Sequence, residues 1–131
     1  MTQKNIWIID DDPIYQIIIN KIIRKSDAFS NCSSFINGKE ALIALKNSIA
    51  NNAILPDIIL LDINMPVMDG WEFMEEMKNI KSEINKQIIT YIVSSSIAIE
   101  DKDKSKTFND IVGYISKPVT ADDLVLIVSN E

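Results

Sequence analysis

The chain has 131 residues, of which 47% are apolar and 24% are charged, and its formal net charge is −6. A chain of this length and composition builds one core of ordinary size, which excludes disordered and fibrous classes. The acidic balance excludes direct binding to nucleic acid as the leading function, because phosphates attract basic surfaces. We therefore expect a single globular domain over residues 1–131.

The sequence contains no recognisable targeting segment and only one cysteine. The apolar stretches are much shorter than a membrane span, and the opening MTQKNIWIIDDD places aspartates where a signal peptide needs its cleavage region. Cys32 is the only cysteine and the chain has no histidine. Neither an intramolecular disulfide nor a cysteine–histidine metal site can form. These features predict a cytoplasmic protein without membrane contact, in which Cys32 packs as a small apolar side chain.

The first predicted strand and helix are joined by an aspartate-rich loop. Residues 5–9 form a short apolar run, and Asp12 followed by Pro13 is a typical helix start, as N-cap and first helical residue. The next apolar positions are Ile14, Ile18 and Ile22, with Ile17 and Ile19 beside them. Their i, i+4, i+8 spacing predicts a helix.

The rest of the chain continues to alternate strands and helices. The predicted elements are strand 32–36, helix 39–49, strand 58–61, helix 71–77, strand 87–93, helix 97–108, strand 111–116 and helix 124–128. Thr120 and Asp123 resemble a capping box before the last helix. All glycines and prolines are expected at element boundaries. Five strand–helix units predict an α/β fold with one doubly wound parallel sheet and helices on both faces.

Polar side chains follow four of the five predicted strands. They are Asp10, Asp11 and Asp12 after the first strand, Asp62 after the third, Ser94, Ser95 and Ser96 after the fourth, and Lys117 after the fifth. Ligands of open parallel sheets bind at this carboxyl edge. Neighbouring carboxylates repel one another unless a cation joins them, and an all-oxygen ligand set favours Mg²⁺. Carboxylates, Mg²⁺, a lysine and a hydroxyl predict a phosphoryl-transfer site with an aspartate nucleophile.

Four motifs in this order match one known family. IIDDDP, LLDINMPVMDG, IVSSS and GYISKP together resemble the receiver domain of two-component response regulators, and the resemblance covers essentially the whole chain. It implies a flavodoxin-like (βα)5 fold with strand order 2-1-3-4-5. It also implies a phosphorylation-activated switch that promotes its own phosphorylation and dephosphorylation without being a turnover enzyme.

The resemblance implies a role at the metal site for four residues. Asp62 looks like the phosphoacceptor, and Asp11 looks like the direct Mg²⁺ ligand beside it. Asp10 would help to hold the ion through water, and Asn64 would offer its backbone carbonyl. The aspartate-nucleophile phosphatases, a competing class, usually carry a second aspartate where this chain has Asn64.

The resemblance also implies which residues bind the phosphoryl group and respond to it. Lys117 and Ser94 would each hold a phosphoryl oxygen, and Ser94 with Tyr114 would form the switch. A one-residue shift of the fourth strand would put Ser95 in the place of Ser94. A cis bond between Lys117 and Pro118 is a further expectation from the family.

The implied phosphoryl donor is a sensor histidine kinase or a histidine phosphotransfer protein. An unidentified downstream protein would meet the surface formed by the fourth helix, the fifth strand and the fifth helix, and the chain would be a monomer or a phosphorylation-dependent dimer. A stand-alone receiver is the leading hypothesis. The alternatives are the receiver fragment of a longer regulator and a pseudo-receiver that binds proteins without phosphotransfer.

Overall fold

The computed structural model describes residues 3–95 and 98–129. The strands are β1 (Lys4–Ile9), β2 (Phe29–Phe35), β3 (Ile58–Leu61), β4 (Ile89–Ser94) and β5 (Ile111–Ser116). The helices are α1 (Pro13–Lys25), α2 (Gly38–Ala50), α3 (Gly70–Asn79), α4 (Ile99–Ser105) and α5 (Ala121–Ser129), with a 3₁₀ turn at Lys81–Glu83. The predicted start of the fourth helix, at residue 97, lies outside the described residues. Among those described, no helix is long and apolar enough to cross a membrane.

All five strands belong to one parallel sheet. Their order is β2-β1-β3-β4-β5, so the chain places β2 on one side of β1 and then builds outward on the other side. Parallel neighbours need crossover connections, which the helices supply. The predicted α/β class and the strand order implied by the family are confirmed.

Both faces of the sheet are covered by helices. Ile6 and Ile8 of β1 pack in a cluster with side chains of α1 and α5, whereas Trp7 and Ile9 pack in a second cluster with side chains of α2 and α3. This division follows from the strand period, which sends successive side chains to opposite faces. All four residues of β3 are buried, and this explains why the strand is a continuous apolar run.

Helix α1 begins as predicted, and only some of its isoleucines are buried. The buried residues are Tyr15, Gln16, Ile19 and Ile23. Ile14 is 68% exposed and Ile18 is 49% exposed, and Ile22 is only partly buried. Isoleucines lie on several sides of this helix, so their spacing alone does not identify the side that meets the sheet.

One glycine lies inside a strand and not at a boundary. Gly113 is in the middle of β5, where it pairs with Tyr91 of β4. A Cβ atom at Gly113 would lie 3.3 Å from Cε1 of the Tyr91 ring. The absence of a side chain therefore makes room for the neighbouring aromatic ring.

Candidate functional site

Two neighbouring parallel strands each end at an aspartate. The register pairs Ile9 of β1 with Leu61 of β3, so Asp10 and Asp62 follow paired residues at one edge of the sheet. The backbone N–H of Asp62 donates to the carbonyl of Ile9 at 2.9 Å. The two carboxylates lie where the strand order reverses, which is the usual ligand position in sheets of this kind.

A third carboxylate joins this pair. Asp10, Asp11 and Asp62 each offer an oxygen, and these oxygens lie within 4.8 Å of one another. Asp10 and Asp62 are 1% and 7% exposed, whereas Asp11 faces solvent. Burial and then the charge of Asp10 raise the pKa of Asp62 to about 6, against the opposing effect of Lys117. The structure thus brings together three of the predicted site residues, at the cost of electrostatic repulsion.

The donor set of this cluster fits Mg²⁺. All three ligand candidates are carboxylate oxygens, and the exposed side of Asp11 leaves room for the water ligands that Mg²⁺ retains. The backbone N–H of Asn64 donates a hydrogen bond to Asp62, which places this residue beside the cluster. Its carbonyl as a metal ligand stays a prediction.

Lys117 supplies the positive charge of the site. Its Nζ lies 2.6 Å from Oδ2 of Asp10 and 3.9 Å from Oδ2 of Asp62. The backbone N–H of Lys117 donates to the carbonyl of Ser94 at 3.0 Å, so the ends of β4 and β5 are tied together. The Lys117–Pro118 bond is cis, as the family resemblance implied.

The two predicted switch residues lie in neighbouring strands, Ser94 in β4 and Tyr114 in β5. Ser94 is the last residue of β4 and is buried, whereas Ser95 is exposed. The choice of Ser94 as the switch hydroxyl remains a prediction. Tyr114 contacts α4 instead of the carboxylates, because its hydroxyl is hydrogen-bonded to the hydroxyl of Ser105 and donates to the carbonyl of Lys102 at 3.2 Å.

The loop after β3 folds back tightly on Asp62. A Cβ atom at Gly70 would lie 2.5 Å from the backbone oxygen of Asp62, so no larger residue fits without a shift of the loop. The Gly70 N–H donates to the carbonyl of Ile63 at 2.9 Å. Asp69 and Glu72 then form a capping box that starts α3. These contacts fix the direction in which Asp62 leaves the strand.

The same loop contains a strained residue. Val67 has a φ angle of 70°, and the N–H of Met68 donates to the carbonyl of Pro66 at 2.8 Å. A hydrogen bond from the N–H of residue i+2 to the carbonyl of residue i, around a central residue with positive φ, defines the rarer of the two kinds of γ-turn. A β-branched side chain is unfavourable in this region of backbone space. The turn therefore stores strain in the loop that follows Asp62.

Two residues at the site were not predicted from the sequence. The side-chain amide of Gln16 donates to the carbonyls of Asp10 and Phe35 at 3.0 and 3.1 Å, which joins the ends of β1 and β2. The ring of Tyr15 lies under the ammonium of Lys117, with 4.7 Å between Nζ and the ring centroid. The i, i+4 spacing of Tyr15 and Ile19 was the signal that could have identified this face of α1.

Three comparisons relate the chain to known proteins. The model of the response regulator receiver domain family matches residues 6–129. A two-component response regulator from Cytophaga hutchinsonii has a crystal structure with a TM-score of 0.86 and 30% identity, covering 99% of this chain and 100% of that one.

Curated relatives are longer proteins. A protein-glutamate methylesterase/protein-glutamine glutaminase of Treponema pallidum is 34% identical over 95 residues, covering 72% of this chain and 21% of the relative. The DNA-binding transcriptional regulator NtrC of Salmonella typhimurium is 27% identical over 123 residues, covering 94% of this chain and 24% of the relative. The similarity thus spans about a quarter or less of the length of these two relatives.

Proposed function

The chain belongs to the response regulator receiver domain family, and on this premise we propose that it is a phosphorylation-activated switch with Asp62 as phosphoacceptor. The donor is a sensor histidine kinase or a histidine phosphotransfer protein. One observation carries the proposal: the oxygens of Asp10, Asp11 and Asp62 lie within 4.8 Å of one another, and Lys117 lies 3.9 Å from Asp62. This is the residue set that phosphoryl transfer to a carboxylate requires.

Asp62 acts as the nucleophile in the proposed reaction. One of its oxygens forms a bond to phosphorus while the P–N bond of the donor phosphohistidine breaks, and the imidazole leaves with the electron pair and takes up a proton. The ammonium of Lys117 is close enough to Asp62 to bind an oxygen of the transferred group. We assign the hydroxyl of Ser94 to a second phosphoryl oxygen.

Mg²⁺ is the cofactor that we propose. Asp11 and Asp62 would bind it directly, Asp10 through water, and Asn64 through its backbone carbonyl. The ion would supply positive charge to oxygens that gain negative charge during transfer. The support for this assignment is the all-oxygen donor set, one member of which faces solvent.

The output surface that we propose is formed by α4, β5 and α5. Four large aliphatic side chains are exposed on these elements: Ile99, Val112, Val125 and Leu126. Tyr114 links β5 to α4 through Ser105 and Lys102. A displacement of the backbone near Ser94 would therefore change the position of this surface. The occupant would be a downstream protein in the cytoplasm, or a second copy after phosphorylation.

Intact-protein mass spectrometry after incubation with acetyl phosphate tests the proposal. Wild type is expected to gain one phosphoryl group when Mg²⁺ is present and none after chelation. Asp62→Asn should gain none, whereas the control Asp103→Asn, which changes an exposed aspartate of α4, should behave as wild type.

Two outcomes would contradict the proposal. Folded wild type that takes up neither phosphoryl groups from acetyl phosphate or phosphoramidate nor Mg²⁺ would indicate a pseudo-receiver. Repeated turnover of p-nitrophenyl phosphate, lost in Asp62→Asn, would instead indicate a phosphatase.

A further inference from the structure

The ammonium of Lys117 has neighbours on three sides. Its Nζ is 2.6 Å from Asp10, 3.9 Å from Asp62 and 4.7 Å from the centroid of the Tyr15 ring. The lysine side chain is 21% exposed. Two of these neighbours are carboxylates of the candidate site, and the third is an aromatic ring with no assigned role. The question is what this ring contributes.

Tyr15 is buried among apolar side chains. It is 8% exposed and belongs to the apolar cluster that includes Ile19, Val119 and Leu124. Among the described residues its buried hydroxyl has no hydrogen-bond partner, although buried tyrosine hydroxyls usually find one. A purely apolar residue would fill this position without leaving such a group unpaired. Packing alone therefore does not account for tyrosine at this position, and its ring is the part of the side chain that meets Lys117.

The ring remains neutral at physiological pH. Burial, and then the negative charges of Asp10 and Asp62, raise the pKa of the Tyr15 phenol well above its usual range. A neutral aromatic face attracts an ammonium through its quadrupole. The ring can therefore hold the lysine without adding a fourth negative charge to a site that already has three carboxylates.

We propose that Tyr15 is a positioning residue, whose ring face holds the Lys117 ammonium beside Asp10 and within reach of a phosphoryl group on Asp62. The inference rests on the proposed function of Asp62. Lysine has a long and flexible stem, so a fixed wall on one side restricts where its charge can lie. Without the ring, the ammonium would be held by the two carboxylates alone and would sample more positions. Phosphoryl transfer would then be slower.

Two substitutions of Tyr15 separate the ring from the hydroxyl. Tyr15→Phe keeps the ring, and its phosphorylation by acetyl phosphate in saturating Mg²⁺ should stay within about threefold of the wild-type rate, because the faces of Phe and Tyr both attract cations. Tyr15→Leu keeps an apolar side chain but removes the ring, and its rate should fall by roughly five- to thirty-fold.

A matched control separates positioning from packing. Ile19→Ala changes the same buried face of α1 one turn further on, and Ile19 is fully buried. This variant should be less stable than wild type but should be phosphorylated within about threefold of the wild-type rate. Rates are compared at a temperature at which every variant is folded by circular dichroism.

A fluorine series tests the cation–π contact itself. Phenylalanine with one, two or three ring fluorines at position 15 keeps the ring shape and progressively weakens the attraction of its face for cations. The phosphorylation rate should fall stepwise along the series. The affinity for beryllium fluoride, a stable stand-in for the phosphoryl group, should fall in parallel, which gives a readout that needs no transfer reaction.

The outcomes distinguish this inference from the proposed function. Folded wild type that takes up neither a phosphoryl group nor Mg²⁺ would overturn the function of Asp62. An adduct on wild type with an unchanged rate in Tyr15→Leu, or a fluorine series without a trend, would overturn only the role of Tyr15. Tyr15→Phe that is as slow as Tyr15→Leu would also overturn it, since the hydroxyl and not the ring would then be the active part. If Tyr15→Leu does not fold, the fluorine series decides.

Discussion

Replacing the Asp62 carboxylate by an amide is expected to stabilise the metal-free protein. Burial first, and the charge of Asp10 next, raise the pKa of Asp62 from 3.8 to about 6. The folded protein therefore holds this proton more tightly than the unfolded chain does, and ionisation of Asp62 lowers stability. With about 1.4 kcal/mol for each pKa unit, the loss in free energy of unfolding is about 3 kcal/mol.

The sign of the pKa shift sets the pH window of this effect. Since the folded state binds more protons than the unfolded state between pH 3.8 and about 6, this carboxylate makes the free energy of unfolding fall as the pH rises through that range. At pH values above the pKa of Asp62 in the folded state, the free energy of unfolding has fallen by its full amount. Asp62→Asn has no carboxylate to ionise at this position. Its free energy of unfolding should therefore exceed that of wild type by about 0.5 kcal/mol at pH 4 and by about 3 kcal/mol at pH 7.5.

Urea unfolding in the presence of a chelator measures these differences. Trp7 and Trp71 are both buried, so their fluorescence reports the transition. The control Asp103→Asn should change the free energy of unfolding by no more than about 0.5 kcal/mol at any pH in the window. If Asp62→Asn is no more stable than wild type at pH 7.5, repulsion and desolvation do not dominate the energetics of this carboxylate and our reasoning is refuted.

Adding Mg²⁺ extends the same experiment. A cation that binds only the folded state at ten times its dissociation constant should add about 1.4 kcal/mol to the stability of wild type. The gain should be smaller in Asp62→Asn, which has lost one carboxylate of the cluster. An equal gain in both proteins would show that Asp62 is not a ligand.

Three further predictions concern the loop after β3. Val67→Gly should raise the free energy of unfolding by about 1 kcal/mol, because strain at positive φ outweighs the entropy of glycine. The control Val125→Gly, in the middle of α5, should lower it in the same urea assay. Gly70→Ala should lower stability by about 2 kcal/mol and slow phosphorylation, because its Cβ would meet the carbonyl of Asp62. Asp69→Ala should cost about 1 kcal/mol through the lost cap, measured by urea unfolding.

Much of the fold follows from local sequence signals. The loop between β1 and α1 could be predicted because Asp12 and Pro13 each have a strong positional preference, and Asp12 does accept hydrogen bonds from the N–H groups of Ile14 and Tyr15. The bounds of β3 could be predicted because a strand covered on both faces is apolar throughout. The strand order came from the family resemblance and not from the pattern of the residues.

The contacts that were missed depend on tertiary packing. The position of the sheet determines which side of α1 is buried. Several sides of this helix carry isoleucine, so the sequence pattern is consistent with more than one buried side. The contact between Tyr15 and Lys117 joins residues that are far apart in the chain. It could not be predicted from local sequence patterns, because it depends on how the elements pack. Gly113 shows a related limit, because the ring that needs the space belongs to the neighbouring strand.

The charge of the site explains why a divalent cation should be required for the proposed reaction. Within residues 3–95 and 98–129, the ammonium close to the cluster of Asp10, Asp11 and Asp62 is that of Lys117. A phosphoryl group on Asp62 would raise the negative charge further, since protein-bound phosphates carry about −1.5 to −2 at neutral pH. One lysine cannot balance this charge in a site where two of the three carboxylates are buried. We therefore expect a second positive species at the site, and the oxygen donors favour Mg²⁺ for that place.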